Sequence, residues 1–263
     1  MNITSLGYQT DLMLLRLRGS SLTEMDDYIV VRTPSNPTFW WGHFLLFRTA
    51  FAPGELPVRL KQFASEFPDA KHVAFGIDSV DGVVGAEEEL SEAGFEVGRD
   101  TVMTASEVRE PSRPNTSSEF RCLTSPNDWE QQVNLTLATA PPTTEEGYEG
   151  YVRAKIEGER RLTEAGQAQW FGAFEAGKLQ SSLGLVTDGA GVARFQSVQT
   201  HPGDRGRGLA STLVHRASTY GLSELRARTL VMVADPGYLA IGLYRALGFA
   251  DRETQIHLTK RPQ

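Results

Sequence analysis

The spacing of hydrophobic residues changes near residue 200, and this change predicts a strand, a turn and then a helix. Leu209, Leu213 and Ala217 follow one another at helical spacing, so an amphipathic helix is expected to begin at about residue 209. The segment 201–208 before it is polar and glycine-rich, which is typical of a turn. Residues 192–200 before the turn are expected to form a strand.

The turn combines small residues with positive charge at the start of the predicted helix. Gly206, Gly208 and Ala210 leave space beside the backbone, and Arg205 and Arg207 flank the first glycine. A helix N-terminus has unpaired backbone N–H groups and partial positive charge, both of which favour an anion. Arginine side chains can add charge-assisted hydrogen bonds to the same group. The pattern predicts a diphosphate site, whereas the turn taken by itself is also compatible with a flexible basic loop.

The segments after this helix strengthen the first interpretation. Residues 229–233 are apolar and mostly β-branched, so a second strand is expected there. Residues 239–247 have the pattern of a short helix, and Gly248 after it suits a left-handed C-terminal cap.

The glycine-rich turn and the segments after it, in this order, resemble the sequences of the GNAT superfamily of acyl-CoA-dependent N-acyltransferases. The cofactor signature of that family is Gln or Arg, two residues, Gly, one residue, then Gly or Ala, which Arg205, Gly208 and Ala210 match. Residues 241–244 (Ile-Gly-Leu-Tyr) and 247–249 (Leu-Gly-Phe) are similar to the family's second signature. The resemblance covers residues 119–263.

The resemblance implies acetyl-CoA as co-substrate, and it implies no metal. In the family, a splayed strand presents free backbone amides to the acyl carbonyl and the pantetheine arm, and here those amides are on Val198 and Thr200. The diphosphate is expected on the turn that follows. The implied coenzyme-binding residues are Val198, Gln199, Thr200, Arg205, Gly206, Arg207, Gly208, Leu209, Ala210 and Ser211.

Tyr244 stands at the position of the family's tyrosine, whose hydroxyl acts as general acid beside the thioester sulfur. The alternative for Tyr244 is a buried aromatic side chain with a satisfied hydroxyl. The sequence departs from the family at two other places, since Gly237 replaces a frequent asparagine and Met232 replaces a glutamate that serves some relatives as base. Asp235 and Glu175 are the nearest acids, neither within a motif, so the base is left unassigned.

The pattern of elements in the first half is similar to that in the second half. Residues 93–95 (Ala-Gly-Phe) correspond to residues 247–249 (Leu-Gly-Phe), and both are preceded by strand, helix, strand and helix. The predicted fold class is α/β with two GNAT-like units, each a mixed, mostly antiparallel sheet flanked by helices. The predicted domains are 1–108 and 119–263, joined by a proline- and serine-rich linker over 109–118.

The first unit is expected to be a degenerate copy. Pro53 and Pro57 remove backbone donors from its turn, and Glu55 adds a charge that repels phosphate. A leucine-containing segment, Leu90-Ser91-Glu92, stands where the second unit has its tyrosine.

Composition narrows the classes of partner. The 263 residues have a formal net charge of −7, which disfavours nucleic acid and anionic membrane as partners. Cys122 is the single cysteine and cannot form an internal disulfide, and the N-terminus lacks the pattern of a signal peptide, so a cytoplasmic location is expected.

The sequence therefore predicts an N-acetyltransferase that acts on a primary amine of a small molecule or a protein. The alternative is a non-catalytic protein that binds or senses acyl-CoA. A charge-rich helix is predicted over residues 146–164, in the region that lies over the acceptor site in the family, and it either contacts the acceptor or is a solvated face. The sequence does not specify the acceptor or the oligomeric state.

Overall fold

The computed structural model describes residues 2–36, 39–140 and 147–261. These ranges contain the helices and strands given below, together with two short 3₁₀ helices, Trp40–Gly42 and Pro202–Asp204. The elements are α1 Leu6–Leu17, β1 Ser21–Glu24, β2 Tyr28–Arg32, β3 His43–Phe47, α2 Leu56–Glu66, β4 Val73–Ile77, α3 Glu87–Glu92, β5 Glu96–Ala105, β6 Glu119–Cys122, α4 Pro126–Thr139, α5 Tyr148–Glu164, β7 Ala168–Glu175, β8 Lys178–Thr187, β9 Val192–Thr200, α6 Leu209–Ser223, β10 Thr229–Ala234, α7 Ala240–Ala246 and β11 Ala250–Lys260.

The helix predicted over 146–164 is α5, which begins at Tyr148, and Glu146 lies outside the described residues. No helix within the described ranges is long and apolar enough to cross a membrane. The described residues also contain no group of three or more His, Cys, Asp or Glu side chains that could hold a metal ion.

The chain forms two compact units. Unit 1 is Met1–Met103, Val233–Tyr238 and Asp251–Gln263, and unit 2 is Thr104–Met232 and Leu239–Ala250. Each unit has a mixed sheet flanked by helices, which confirms the predicted fold class.

Unit 1 is built on the strand order β1-β2-β3-β4-β11-β5. The β3–β4 pair is parallel, and the β1–β2, β2–β3 and β4–β11 pairs are antiparallel. One core cluster of unit 1 is rich in aromatic side chains, and Phe47, Phe63 and Phe75 within it are nearly inaccessible to solvent. Apolar burial of this size is the main favourable term in the stability of the unit.

The C-terminal strand lies in unit 1, although the predicted division placed it with the second half. In β11, Ile256 pairs with Ile77 and Leu258 pairs with Phe75, both in β4. Glu253, which also lies on β11, accepts hydrogen bonds from the backbone N–H groups of Leu6 and Gly7 at the start of α1. The last strand therefore supplies both a sheet partner and a helix cap to the first unit.

Unit 2 is built on the strand order β10-β9-β8-β7-β6. Trp170 on β7 contacts Trp129 of α4, and its neighbour Phe171 contacts Tyr220 of α6. Because successive side chains of a strand point to opposite faces, α4 and α6 cover opposite faces of this sheet. Both faces are shielded, and β8 is accordingly buried along almost its whole length.

Both units contain the same helix ending. Gly94 and Gly248 have positive φ angles of 81° and 105°. The N–H of Phe95 donates to the carbonyl of Leu90, and the N–H of Phe249 donates to the carbonyl of Tyr244. These bonds are those of a Schellman cap, for which glycine is the favoured residue. They place Leu90 of unit 1 at the position that Tyr244 occupies in unit 2.

Helix α4 begins at a capping box. The Ser125 side chain accepts a hydrogen bond from the N–H of Asp128, and Asp128 accepts from the N–H groups of Thr124 and Ser125. Arg121 also donates two hydrogen bonds to Asp128, at 2.8 and 2.9 Å. The Arg121 guanidinium holds the pKa of this buried carboxyl well below its ordinary value. Asp128 thus joins β6 to α4 while it is ionised.

Replacing Asp128 by asparagine should destabilise unit 2 by about 3 kcal/mol, because the partners of a buried carboxylate lose their charge complement. Urea unfolding at pH 7 measures this loss. A lowered folded-state pKa contributes stability above the unfolded value near 4, and this contribution is lost as the pH falls toward the folded value. The wild type should therefore lose its advantage over Asp128→Asn below about pH 4.

The control for this measurement is Glu130→Gln on the exposed side of the same helix. Its carboxylate pairs with Arg153 at the surface, so stability should change little. A destabilisation of Asp128→Asn no larger than that of the control would contradict the role of the capping box.

Candidate active site

Strands β9 and β10 of unit 2 are paired at their beginnings and unpaired beyond. The parallel register runs from Val192–Thr229 to Arg194–Val231, whereas β9 continues to Thr200. From residue 196 onward β9 is only half-buried. One edge of β9 is therefore open over its last residues, as the predicted splay requires.

A bulge directs the end of β9. Ser182 pairs with Gln199 and Gly184 pairs with Gln196, so Ser197 and Val198 together lie opposite Leu183. Ser197 has a φ of 51°, in the left-handed region that non-glycine residues rarely adopt. An extra residue of this kind bends the strand that contains it and changes the direction of the side chains that follow.

The backbone directions beyond the bulge follow from the bonds to β8. The N–H of His201 donates to the carbonyl of Gln180, and the carbonyl of Gln199 accepts from the Ser181 hydroxyl. Backbone polar groups alternate between the two edges of a strand, so the N–H groups of Val198 and Thr200 point to the open edge. These are the two amides that the resemblance assigned to the acyl group.

The turn after β9 exposes a continuous row of backbone donors. Gly206 and Gly208 have φ angles of 77° and 73°, and Gly208 is the N-cap of α6. None of the N–H groups of residues 205–211 has an acceptor within the described part of the chain, and the first helical bond is that of Thr212 to Gly208. Unpaired donors converging at a helix N-terminus form an anion site. The predicted phosphate-binding residues thus share one geometric property, which is an unsatisfied N–H.

Residues 113–115, which belong to unit 2, pack against this turn. Asn115 donates its side-chain N–H to the carbonyl of Arg207 and its backbone N–H to the Thr212 hydroxyl. A Cβ atom added at Gly208 would collide with the carbonyl of Arg113. Gly208 is therefore required for a close backbone contact as well as for its left-handed conformation.

Arg207 is bound to carboxylates of the chain itself. It donates to Glu175 at 2.9 and 3.1 Å and to Asp204 at 2.9 Å, and these bonds lower the pKa of Glu175. Gln180 bonds to the same two carboxylates. The predicted contact of Arg207 with a diphosphate stays a prediction, since Arg207 has other partners here. Arg205 is exposed, has no carboxylate partner among the described residues, and is the better placed of the two.

The side chain of Gln199 has a structural role, because it forms hydrogen bonds to neighbouring elements of unit 2. It donates to the hydroxyls of Thr136 and Ser182, at 3.0 and 3.2 Å, and accepts from Thr139 at 3.0 Å. These bonds join β9 to α4 and β8. The amide side chain is thus fully engaged in holding the strand, and its predicted coenzyme contact is untested.

Tyr244 is buried, with 5% of its surface exposed. Its ring packs edge-on against Phe249, which packs in turn against Phe195 of β9. The tyrosine is thereby tied to the strand with the open edge, and the structure leaves its catalytic role as a prediction.

The comparisons with known proteins concern the fold of the chain. Residues 176–258 match the family described as FR47-like protein. A GCN5-related N-acetyltransferase from Kribbella flavida is similar in structure, with a TM-score of 0.69, 16% identity, and coverage of 99% of this chain and 96% of that one. The chain has the GNAT fold. This confirms the resemblance to the GNAT superfamily.

Two further structures have the same fold. A conserved protein of unknown function from Staphylococcus epidermidis has a TM-score of 0.70 at 14% identity, covering 93% of this chain and 95% of its own. A tandem GNAT protein from the clavulanic acid biosynthesis pathway has a TM-score of 0.57 at 15% identity, covering 93% and 84%. No curated protein sequence matches this chain.

In unit 1 the corresponding strands do not separate, because β3 and β4 stay paired up to their last residues, Phe47 and Ile77. The N–H of Phe51 donates to Val84, and the N–H of Ala86 donates to Phe51, which forms a bridge at Gly85. The adjoining turn is also occupied, because Glu55 accepts from the N–H of Ala52, and Glu89 from that of Gly54. Carboxylates of the chain thus take donors that the GNAT fold of unit 2 leaves unpaired.

Sequence reasoning missed one group beside the bulge. Glu159 of α5 is fully buried, with one carboxylate oxygen 3.3 Å from the Lys155 ammonium and 3.5 Å from the Ser197 hydroxyl. The available signal was a glutamate on the apolar stripe of an amphipathic helix, which the high charge of the helix obscured.

The unpaired N–H groups can be tested at Gly206, where an added Cβ meets no atom within 4 Å. Asn and Asp both tolerate the left-handed region, so Gly206→Asn and Gly206→Asp differ mainly in charge. We expect the aspartate to weaken coenzyme A binding at least tenfold relative to the asparagine, about 1.4 kcal/mol, by repulsion of the diphosphate. Calorimetric titration measures this difference, and equal affinities would place the diphosphate elsewhere.

Proposed function

We propose that this protein is an N-acetyltransferase that transfers an acetyl group from acetyl-CoA to a primary amine of a small molecule or a protein. The proposal is carried by the row of unpaired N–H groups over residues 205–211, at the end of a strand whose edge is open. In unit 1 the chain itself pairs two donors of the corresponding turn, through Glu55 and Glu89. The GNAT fold is consistent with acyl transfer.

Each group of the site has a separate task in this reaction. Acetyl-CoA supplies an activated acetyl group as a thioester. The N–H groups of Val198 and Thr200 would donate to the acyl carbonyl and the pantetheine arm and hold them in one orientation. The amine nitrogen forms a bond to the carbonyl carbon while the carbon–sulfur bond breaks. Tyr244 would give its phenolic proton to the leaving thiolate.

A non-catalytic protein that binds acyl-CoA is the alternative. It needs the N–H row but not a proton donor near the sulfur. The matched caps of the two units favour the enzyme, because Tyr244 stands in the unit with the open strand and Leu90 in the unit whose corresponding strands stay paired. Release of free thiol from acetyl-CoA in the presence of a panel of primary amines distinguishes the two. Binding without amine-dependent release would favour the alternative.

Tyr244→Phe should keep the affinity for acetyl-CoA and lower turnover on the order of tenfold to a thousandfold, the range in which general acid catalysis contributes. The ring contact with Phe249 is retained in this variant, so the fold should be preserved. Calorimetry and the thiol-release assay measure the two quantities. Equal turnover in the two proteins would reduce Tyr244 to a packing residue.

The chain should bind one coenzyme. In unit 1 the corresponding strands stay paired to their ends, and Pro53 and Pro57 contribute no donors to its turn. Calorimetric titration with acetyl-CoA should therefore give a stoichiometry near one, and Gly206→Asp should weaken that single event. A stoichiometry of two would show that unit 1 has a working coenzyme site.

A further inference from the structure

The apolar stripe of α5 contains one charged residue. Val152, Ile156 and Leu162 are buried along this stripe, and Glu159 is buried among them with 0% of its surface exposed. A carboxylate in this position has a large desolvation cost unless it is paired and hydrogen-bonded. A leucine would fit the helical pattern at this residue without that cost.

The partners of Glu159 satisfy only half of its carboxylate. Oε1 lies 3.3 Å from Nζ of Lys155 and 3.5 Å from Oγ of Ser197, while Lys155 also donates to Ser197 at 3.0 Å. Oε2 is buried and has no hydrogen-bond partner among the described residues. The side chain of Lys155 is partly exposed, so its ammonium lies between the buried carboxylate and solvent.

This pair lies beside the residue whose backbone would hold the acyl group. Ser197 is the strained residue of the bulge, and the next residue is Val198, whose N–H points to the open edge of β9. Non-glycine residues in the left-handed region cost free energy and occur disproportionately at functional sites. The bulge therefore brings the side chains of α5 to the strand position where the acyl carbonyl is expected.

We propose that Glu159 is the base that removes a proton from the acceptor ammonium, an inference that rests on the proposed acetyl transfer. The ammonium of Lys155 already occupies a position between Glu159 and Ser197, which shows that a primary ammonium fits there. The acceptor takes this position when the partly exposed lysine side chain moves aside. The acceptor class is accordingly a primary amine that is protonated in solution.

The proton balance of the reaction is then complete. The carboxylate of Glu159 takes one proton from the acceptor ammonium, and the neutral nitrogen bonds to the acyl carbon. After the carbon–sulfur bond has broken, the thiolate takes its proton from Tyr244. The nitrogen loses its second proton as the amide forms, and this proton restores the phenol of Tyr244. Glu159 loses its proton to water once the product has left, so one proton is released in each turnover.

Glu159→Gln tests the proposal in the full-length chain, because it keeps the shape of the side chain and removes its charge. The variant should bind acetyl-CoA as the wild type does and release thiol with primary alkylamines at a rate lower on the order of a hundredfold or more. Amines of the panel that are already unprotonated at pH 7 should lose least, since they need no base. Equal losses for both kinds of amine, or no loss, would overturn the proposal.

Glu159→Leu provides a second test that does not depend on the glutamine variant folding. It extends the apolar stripe of Val152, Ile156 and Leu162, and Lys155 can reach solvent, so the melting temperature should stay the same or rise while turnover falls. A lower melting temperature together with weaker coenzyme binding would show that Glu159 has a structural role instead. Glu157→Gln is the matched control, because Glu157 is exposed on the same helix, and it should behave as the wild type.

Failure of this inference differs from failure of the proposed function. If the wild type binds no acetyl-CoA or releases no thiol with any amine, the acetyl transfer itself is wrong and the inference falls with it. If the wild type turns over and Glu159→Gln turns over equally well, the transfer stands and only the base is wrong.

Discussion

The site depends on one constraint, which is that buried or converging backbone N–H groups need acceptors. In unit 2 the separation of β9 from β10 leaves the N–H groups of Val198 and Thr200 on an open edge, and the turn over 205–211 adds a row of unpaired donors. Donors that the chain does not satisfy are available to an anionic or carbonyl-bearing ligand. The bulge at Ser197, the helix start at Gly208 and the packing of Asn115 all serve to hold this row in place.

Unit 1 meets the same constraint within its own chain. Its strands β3 and β4 stay paired to their ends, and the chain beyond them forms a bridge between Phe51 and Gly85. The carboxylates of Glu55 and Glu89 accept from N–H groups of its turn. An internal carboxylate satisfies a donor as a phosphate oxygen would, and it does so permanently. The two units therefore differ at the same place in the fold. In unit 1 the turn donors bind carboxylates of the chain, whereas in unit 2 they are unpaired, and unit 2 also contains Tyr244.

Charge around the open turn is more balanced than its two arginines suggest. Glu175 and Asp204 form ion pairs with Arg207, so carboxylates of the chain neutralise the positive charge of that residue. Arg205 and the backbone dipoles remain for an anion. Backbone donors are fixed by the helix and need no reorganisation, whereas a long side chain loses rotamer freedom when it binds. The turn is therefore a preorganised site whose side chains mainly maintain its shape.

Local patterns determined the elements, the glycine turn and the two Gly-Phe caps at residues 94–95 and 248–249, because helix periodicity and left-handed glycines are properties of a few neighbouring residues. The tertiary structure decided the rest. The pairing of β11 with β4, the carboxylate partners of Arg207 and the burial of Glu159 beside Ser197 each join segments tens of residues apart or more. Such contacts depend on which surfaces meet when the chain packs, and the local spacing of hydrophobic residues does not predict them. A glutamate on a helix has the same sequence signal in solvent as in the core, so only packing distinguishes an exposed carboxylate from a buried one.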